Sequence, residues 1–101
     1  ELYFGASIPE DGDVSNQAWE LFVEEEIAPR FPDGFTILEA EGRWRHADGS
    51  NAEERTRIFV IVREATDERA EQAVAAVAEA YKQRFRQESV LRVTDRVEAR
   101  F

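Results

Sequence analysis

The chain has 101 residues, enough for one domain and too few for a second core, so a single domain over 1–101 is expected. Hydrophobic residues make up 43% and charged residues 35%, well mixed along the chain, which fits a folded domain and excludes a disordered tail. A formal charge of −9 opposes approach to a polyanion, so nucleic acid and anionic membrane are not expected as partners.

No cysteine is present, which removes disulfides, thiolate metal sites and cysteine nucleophiles, and leaves the redox compartment unreadable. Methionine is absent too, so a chain starting at Glu1 reads as a processed or truncated product whose targeting segment has been removed. No apolar run reaches the roughly 18–20 residues of a membrane-spanning helix, and no membrane insertion is expected.

The segment 2–8 (LYFGASI) is aromatic-rich and is closed by Pro9 and an acidic, glycine-containing stretch, which predicts a first strand and a loop. Ser15 is a good helix N-cap, and Val14 and Trp19 stand where a hydrophobic staple would place them. Trp19, Phe22, Val23 and Ile27 recur at helical spacing, predicting a helix over about 16–28. Pro29 stops it, and Pro32-Asp33-Gly34 supplies a turn.

A second strand is expected over 35–45. Alternation puts Phe35, Ile37, Glu39, Glu41, Arg43 and Arg45 on one face and Thr36, Leu38, Ala40, Gly42 and Trp44 on the other. The polar segment around Asp48-Gly49 returns the chain into a third strand over 54–63, paired with the second as an antiparallel hairpin. Thr66 is read as the cap of a second helix with an acidic first turn and an apolar stripe of Ala70, Ala73, Val74, Val77, Tyr81 and Phe85. A last strand is expected over 90–101, with a break near Thr94-Asp95.

This order of strand, helix, strand, strand, helix, strand predicts an α+β fold, a ferredoxin-like split β-α-β β-α-β sandwich. Its four-stranded antiparallel sheet would carry two helices on one face. Right-handed crossovers place the first and third strands centrally.

Four segments, ELYFG (1–5), PRFPDG (29–34), GRWR (42–45) and QESVLRV (87–93), together resemble the bacterial family known as domain of unknown function 3574. The resemblance spans nearly the whole chain in the right order. It implies a small, often exported protein, periplasmic or secreted, and it implies no reaction. Arg43 stands where that pattern usually has glutamine before the tryptophan, which weakens any shared role for the position.

On this reading the sheet face turned from the helices carries Tyr3, Phe35, Ile37, Phe59 and Ile61, bordered by charged residues that include Arg57 and Arg63. A patch of that kind marks an interface, a ligand site or a surface covered by the chain's own loops. The expected function is a non-enzymatic binding or assembly module that self-associates as a homodimer through this face. The alternative is a small-molecule sensor or enzyme of dimeric α/β-barrel type, with a pocket lined by Tyr3, Trp44, Phe59 and an arginine such as Arg45 or Arg92. Candidate ligand or interface residues are therefore Tyr3, Phe35, Ile37, Trp44, Arg45, Phe59, Ile61 and Arg92. A protein partner or a small anionic ligand is admitted, since arginine forks suit carboxylates.

Other constellations weigh less. Tyr3 and Phe59 are placed like the stacking aromatics of RNA-binding sheets, but the acidic balance argues against bases as ligands. Arg45 with Glu54 or Arg55, and Glu88 with Arg92, form either an anion pocket or a ladder of cross-strand ion pairs, and the ladder is favoured. His46 is alone in a polar turn, which suits neither a metal site nor a triad. Glu24, Glu25 and Glu26 point in different directions around a helix and read as a solvated face. Arg30 is expected to tie the turn that follows. Trp44 is assigned to the helix-facing side unless a bulge reverses the register. No catalytic residue, metal or cofactor is expected.

Overall fold

The computed structural model describes residues 2–5, 7–8, 12–45 and 47–100, with side chains at 4, 14–43, 45, 47–51, 53 and 55–100. The class is α+β, as expected. In chain order the elements are β1 (Leu2–Gly5), β2 (Ser7–Ile8), β3 (Gly12–Asp13), α1 (Asn16–Phe22), β4 (Thr36–Arg45), β5 (Asn51–Val60), α2 (Glu68–Arg84) and β6 (Leu91–Arg92). One sheet runs β4-β5-β1-β6 with every pair antiparallel, and β2 and β3 form a small separate ribbon.

Ser15 caps α1 as expected, its Oγ accepting from the Ala18 amide at 3.0 Å. The expected single helix instead changes winding: residues Val23–Ile27 form a π-helical turn, with the Ala28 amide donating to the Val23 carbonyl. That turn tucks Ile27 into the core beside Phe22. Arg30, expected to tie the turn that follows, reaches back instead, donating to the Glu26 carbonyl at 2.8 Å and pairing with its carboxylate at 2.6 Å, because the helix end offers both acceptors one turn earlier. Gly34 then takes φ of +126°, a conformation open to glycine alone without strain. The cap of α2 is Asp67 rather than Thr66, its carboxylate accepting from the Ala70 amide at 3.0 Å.

Trp19 and Phe22 of α1, Val74, Val77 and Tyr81 of α2, Phe85, Phe4 of β1 and Phe59 of β5 form one core. Phe4 is its hub, with ring centroids at 5.4 Å from Trp19, 6.1 Å from Phe22 and 4.4 Å from Tyr81.

The face assignment made from alternation is inverted. Phe59 is buried, and Phe31, Phe35, Ile37 and Ile61 pack against the same core, so these residues lie under the helices. The register confirms the grouping, since Ile37 stands opposite Phe59 and Glu39 opposite Arg57. The outer face carries Leu38, 49% exposed, with Ile58 and Val60 beside it. Both sets of alternating positions are apolar here, and the aromatic set wins the core because it buries more surface. Tyr3 and Trp44 belong by register to the other set, opposite Ile58 and Ala52; their side chains lie outside the described residues. The β4–β5 ladder is continuous from Thr36–Val60 to Arg45–Asn51, without the bulge that was held in reserve.

The last strand is shorter than its sequence pattern. Only Leu91 and Arg92 pair, opposite Tyr3 and Leu2.

Candidate functional site

Arg57 is the most unusual side chain of the sheet, a guanidinium only 1% exposed. It lies under the start of α1, 5.1 Å from the centre of the Trp19 ring, and its Nη2 donates to Asn16 Oδ1 at 2.8 Å. Arg55, two residues back on the same face, donates to the same Asn16 oxygen at 3.1 Å. An exposed asparagine on the first turn of α1 thus gathers two strand arginines.

Beyond Arg57 the β4–β5 hairpin carries a hollow of about 220 Å³, lined by Glu39, Ala40, Glu41, Arg55, Thr56 and Arg57. The lining is three consecutive rungs of the ladder: Glu39 opposite Arg57, Ala40 opposite Thr56 and Glu41 opposite Arg55. Thr56 is 3% exposed and its Oγ1 makes no hydrogen bond among the described residues. A buried hydroxyl without a partner costs free energy. The small Ala40 opposite leaves room beside it. Side chains alternate along a strand, so Glu39, Glu41, Arg55 and Arg57 share one face of these rungs and Ala40 and Thr56 the other; the charged lining is two carboxylates and two guanidiniums, a polar set of balanced charge.

A second cavity, a groove of about 860 Å³, lies at the opposite end of β5, between residues 60–66 and 92–97. At its wall Arg63 and Arg92 both grip the Glu71 carboxylate of α2, Arg63 at 2.7 Å. The Arg92 hydrogen bond, with the charges of Arg92 and Arg63, holds the Glu71 carboxyl below its ordinary value. A carboxyl depressed in the folded state stabilises the fold above its unfolded pKa, and that contribution disappears as pH falls through the folded value. Urea midpoints of the wild type and Glu71→Gln should differ at pH 7 and converge in acid below the carboxylate range. A difference that persists unchanged at low pH would mean the pair is idle.

The expected site residues are not brought together. Phe35, Ile37, Phe59 and Ile61 serve the core. Arg45 sits opposite Asn51 at the hairpin tip, whereas Arg92 lies level with Phe59 through Leu2, about 26 Å away at 3.3 Å per strand residue. Arg45 and Arg92 therefore do not share one pocket. The ladder reading has one clear instance, Arg43–Glu53 at 3.3 Å, exposed and worth a fraction of a kcal/mol. His46 lies outside the described residues; Asp48, beside it, accepts from the amide and hydroxyl of Ser50 and shapes the turn. Among the described residues no cluster suited to a metal ion occurs, and no helix is long and apolar enough to cross a membrane.

The hollow was missed because its parts are scattered among residues read one by one as a charged margin. Its signal is the rung pattern Glu-Ala-Glu against Arg-Thr-Arg, a small residue facing a hydroxyl between two opposite-charge pairs.

These features define an α+β domain whose polar hollow sits on a long hairpin held under the first helix by arginine. The chain belongs to the family described as protein of unknown function DUF3574, whose model matches residues 1–101. Among solved structures it is similar to a phage SAM lyase in the apo state, at 20% identity and a TM-score of 0.62, covering 88% of this chain and 71% of that one. It is equally similar to phage SAM lyase in complex with S-methyl-5'-thioadenosine, at 21% identity and a TM-score of 0.63, covering 88% and 72%. No curated protein matches. The expectation of a non-enzymatic module is corrected by this result. The solved structures that share the fold are those of an enzyme, and they favour the small-molecule alternative.

Proposed function

We propose that this domain is a ferredoxin-like sandwich acting on a small molecule of the adenosyl sulfonium or thioether class, as an enzyme of lyase type, with the β4–β5 hollow as its polar subsite. The observation that carries the reading is the likeness to phage SAM lyase over 88% of the chain, one form of it bound to S-methyl-5'-thioadenosine. The chemistry of the hollow supports it. A sulfonium is a fixed cation that no proton loss can neutralise, so its site needs carboxylates within reach; Glu39 and Glu41 are the carboxylates of the hollow, opposite Arg57 and Arg55. The acidic surface of the whole chain raises the local concentration of a cationic substrate.

An elimination from such a cation removes one proton from the carbon chain and breaks the adjacent carbon–sulfur bond. The electron pair of that bond stays on sulfur and a neutral thioether leaves. A carboxylate beside the cation serves both needs, holding the charge and accepting the proton.

The test is calorimetric titration of S-adenosylmethionine and S-methyl-5'-thioadenosine, with chromatography for thioether released. The wild type is expected to bind both and to release thioether. Glu39→Gln with Glu41→Gln should weaken the cation at least about tenfold more than the neutral thioether, one charge interaction's worth. Thr56→Val should stabilise the domain by about 1 kcal/mol, because the unsatisfied hydroxyl is gone. Absence of binding by either compound at millimolar concentration would overturn the reading.

A further inference from the structure

Three rungs on one face of the β4–β5 hairpin each set a carboxylate against a guanidinium: Glu39–Arg57, Glu41–Arg55 and Arg43–Glu53. Among the described residues the outermost of them closes into an ion pair, at 3.3 Å, and the inner two do not. Asn16 keeps them apart. Its Oδ1 accepts from Arg57 at 2.8 Å and from Arg55 at 3.1 Å, which draws both guanidiniums toward α1. Glu39 and Glu41, exposed on the facing strand, make neither an ion pair nor a hydrogen bond among the described residues. A carboxamide oxygen carries no net charge, so its bond to Arg55 leaves that guanidinium without a counter-charge among the described residues.

Charges held apart in this way select a ligand that carries both signs. A cation drawn to Glu41 meets Arg55 directly opposite, and an anion drawn to Arg55 meets Glu41, because opposed side chains start only about 4.5–5.5 Å apart. A ligand with an ammonium and a carboxylate on one carbon satisfies both at once. Arg57 is 1% exposed, so of the two arginines Arg55 is the one within a ligand's reach. The hollow, about 220 Å³, falls short of the roughly 300–1,000 Å³ of a whole ligand pocket and suits one end of a molecule.

We propose that the hollow holds the head of an α-amino acid, its carboxylate on the Arg55 fork and its ammonium at Glu39 and Glu41. On the activity proposed above, on which this assignment rests, that head is the aminocarboxylate arm of the sulfonium, with the sulfur at the mouth of the hollow. S-methyl-5'-thioadenosine has a methyl group in place of the arm and ends where the hollow begins.

The test is calorimetric titration with three thioethers, none of them a sulfonium and so none cleaved by the proposed elimination. S-methyl-5'-thioadenosine lacks the arm, S-adenosylhomocysteine has all of it, and decarboxylated S-adenosylhomocysteine keeps the ammonium alone. The whole arm is expected to bind at least about tenfold tighter than the decarboxylated one. Arg55→Gln should abolish that preference, and Arg55→Lys, which keeps the charge and loses the fork, should restore part of it. Arg55 is exposed, so both variants are expected to fold. Equal affinity for the two arms in the wild type, or a preference that survives Arg55→Gln, would overturn the assignment and leave the proposed activity standing. Failure of all three compounds to bind would overturn both.

Discussion

Phe4→Ala should cost about 3–5 kcal/mol, a large part of the 5–15 kcal/mol that holds a domain of this size together. Phe4 is fully buried and its ring touches Trp19 and Phe22 of α1 and Tyr81 of α2, so one side chain on a central strand bridges both helices. Removing the ring leaves a cavity walled by three other aromatics, which are too stiff to collapse into it. Urea denaturation reads the loss as a fall in midpoint at unchanged slope. A loss below about 1 kcal/mol would mean the helices do not share this core.

Asn16→Ala should cost about 1.5–3 kcal/mol although Asn16 is exposed, because its oxygen accepts from the buried Arg57 at 2.8 Å and from Arg55 at 3.1 Å. The cost lies in the charged partner that stays behind. Replacing the partner is the informative control: Arg57→Met keeps the bulk against Trp19 and removes the charge that must be satisfied, so it should cost less than Asn16→Ala. In the Arg57→Met background, Asn16→Ala should become nearly silent, giving a coupling energy close to the single-mutant loss. Additive losses would show that Asn16 acts only through the helix end. The same pair matters to the hollow, since Arg57 lines it and α1 fixes where Arg57 lies.

Local signals in the sequence were dependable where one residue type does one job. Ser15 capped and Gly34 took the positive φ that the Pro-Asp-Gly turn demands. The stripe from Val74 to Phe85 was buried as its spacing implied. The hairpin faces were not legible, because Leu38, Ile58 and Val60 compete with Phe35, Ile37 and Phe59 at the same period of two. Alternation says which residues share a face, and only the packing partner says which face is inside. Arg57 shows the limit most plainly. A charged residue reads as solvent-facing, and only the placement of Trp19 and Asn16, some 40 residues earlier in the chain, makes it a core residue. The shortened last strand has a similar cause: its pattern runs on, but a strand forms only as far as it has a neighbour to pair with.

The functional expectation failed for a related reason. The self-associating sheet face was built on Phe59 and Ile61, and the structure spends those side chains on its own core. A polar hollow lies instead on the arginine-anchored hairpin, with Glu39, Glu41, Arg55 and Arg57 in its lining.

The most direct test of the proposed activity is an amide chemical-shift map of the full chain during titration with S-methyl-5'-thioadenosine. Saturable shifts centred on residues 39–41 and 55–57 are the expected result. Saturable shifts elsewhere with that hairpin silent, or none at all, would contradict it.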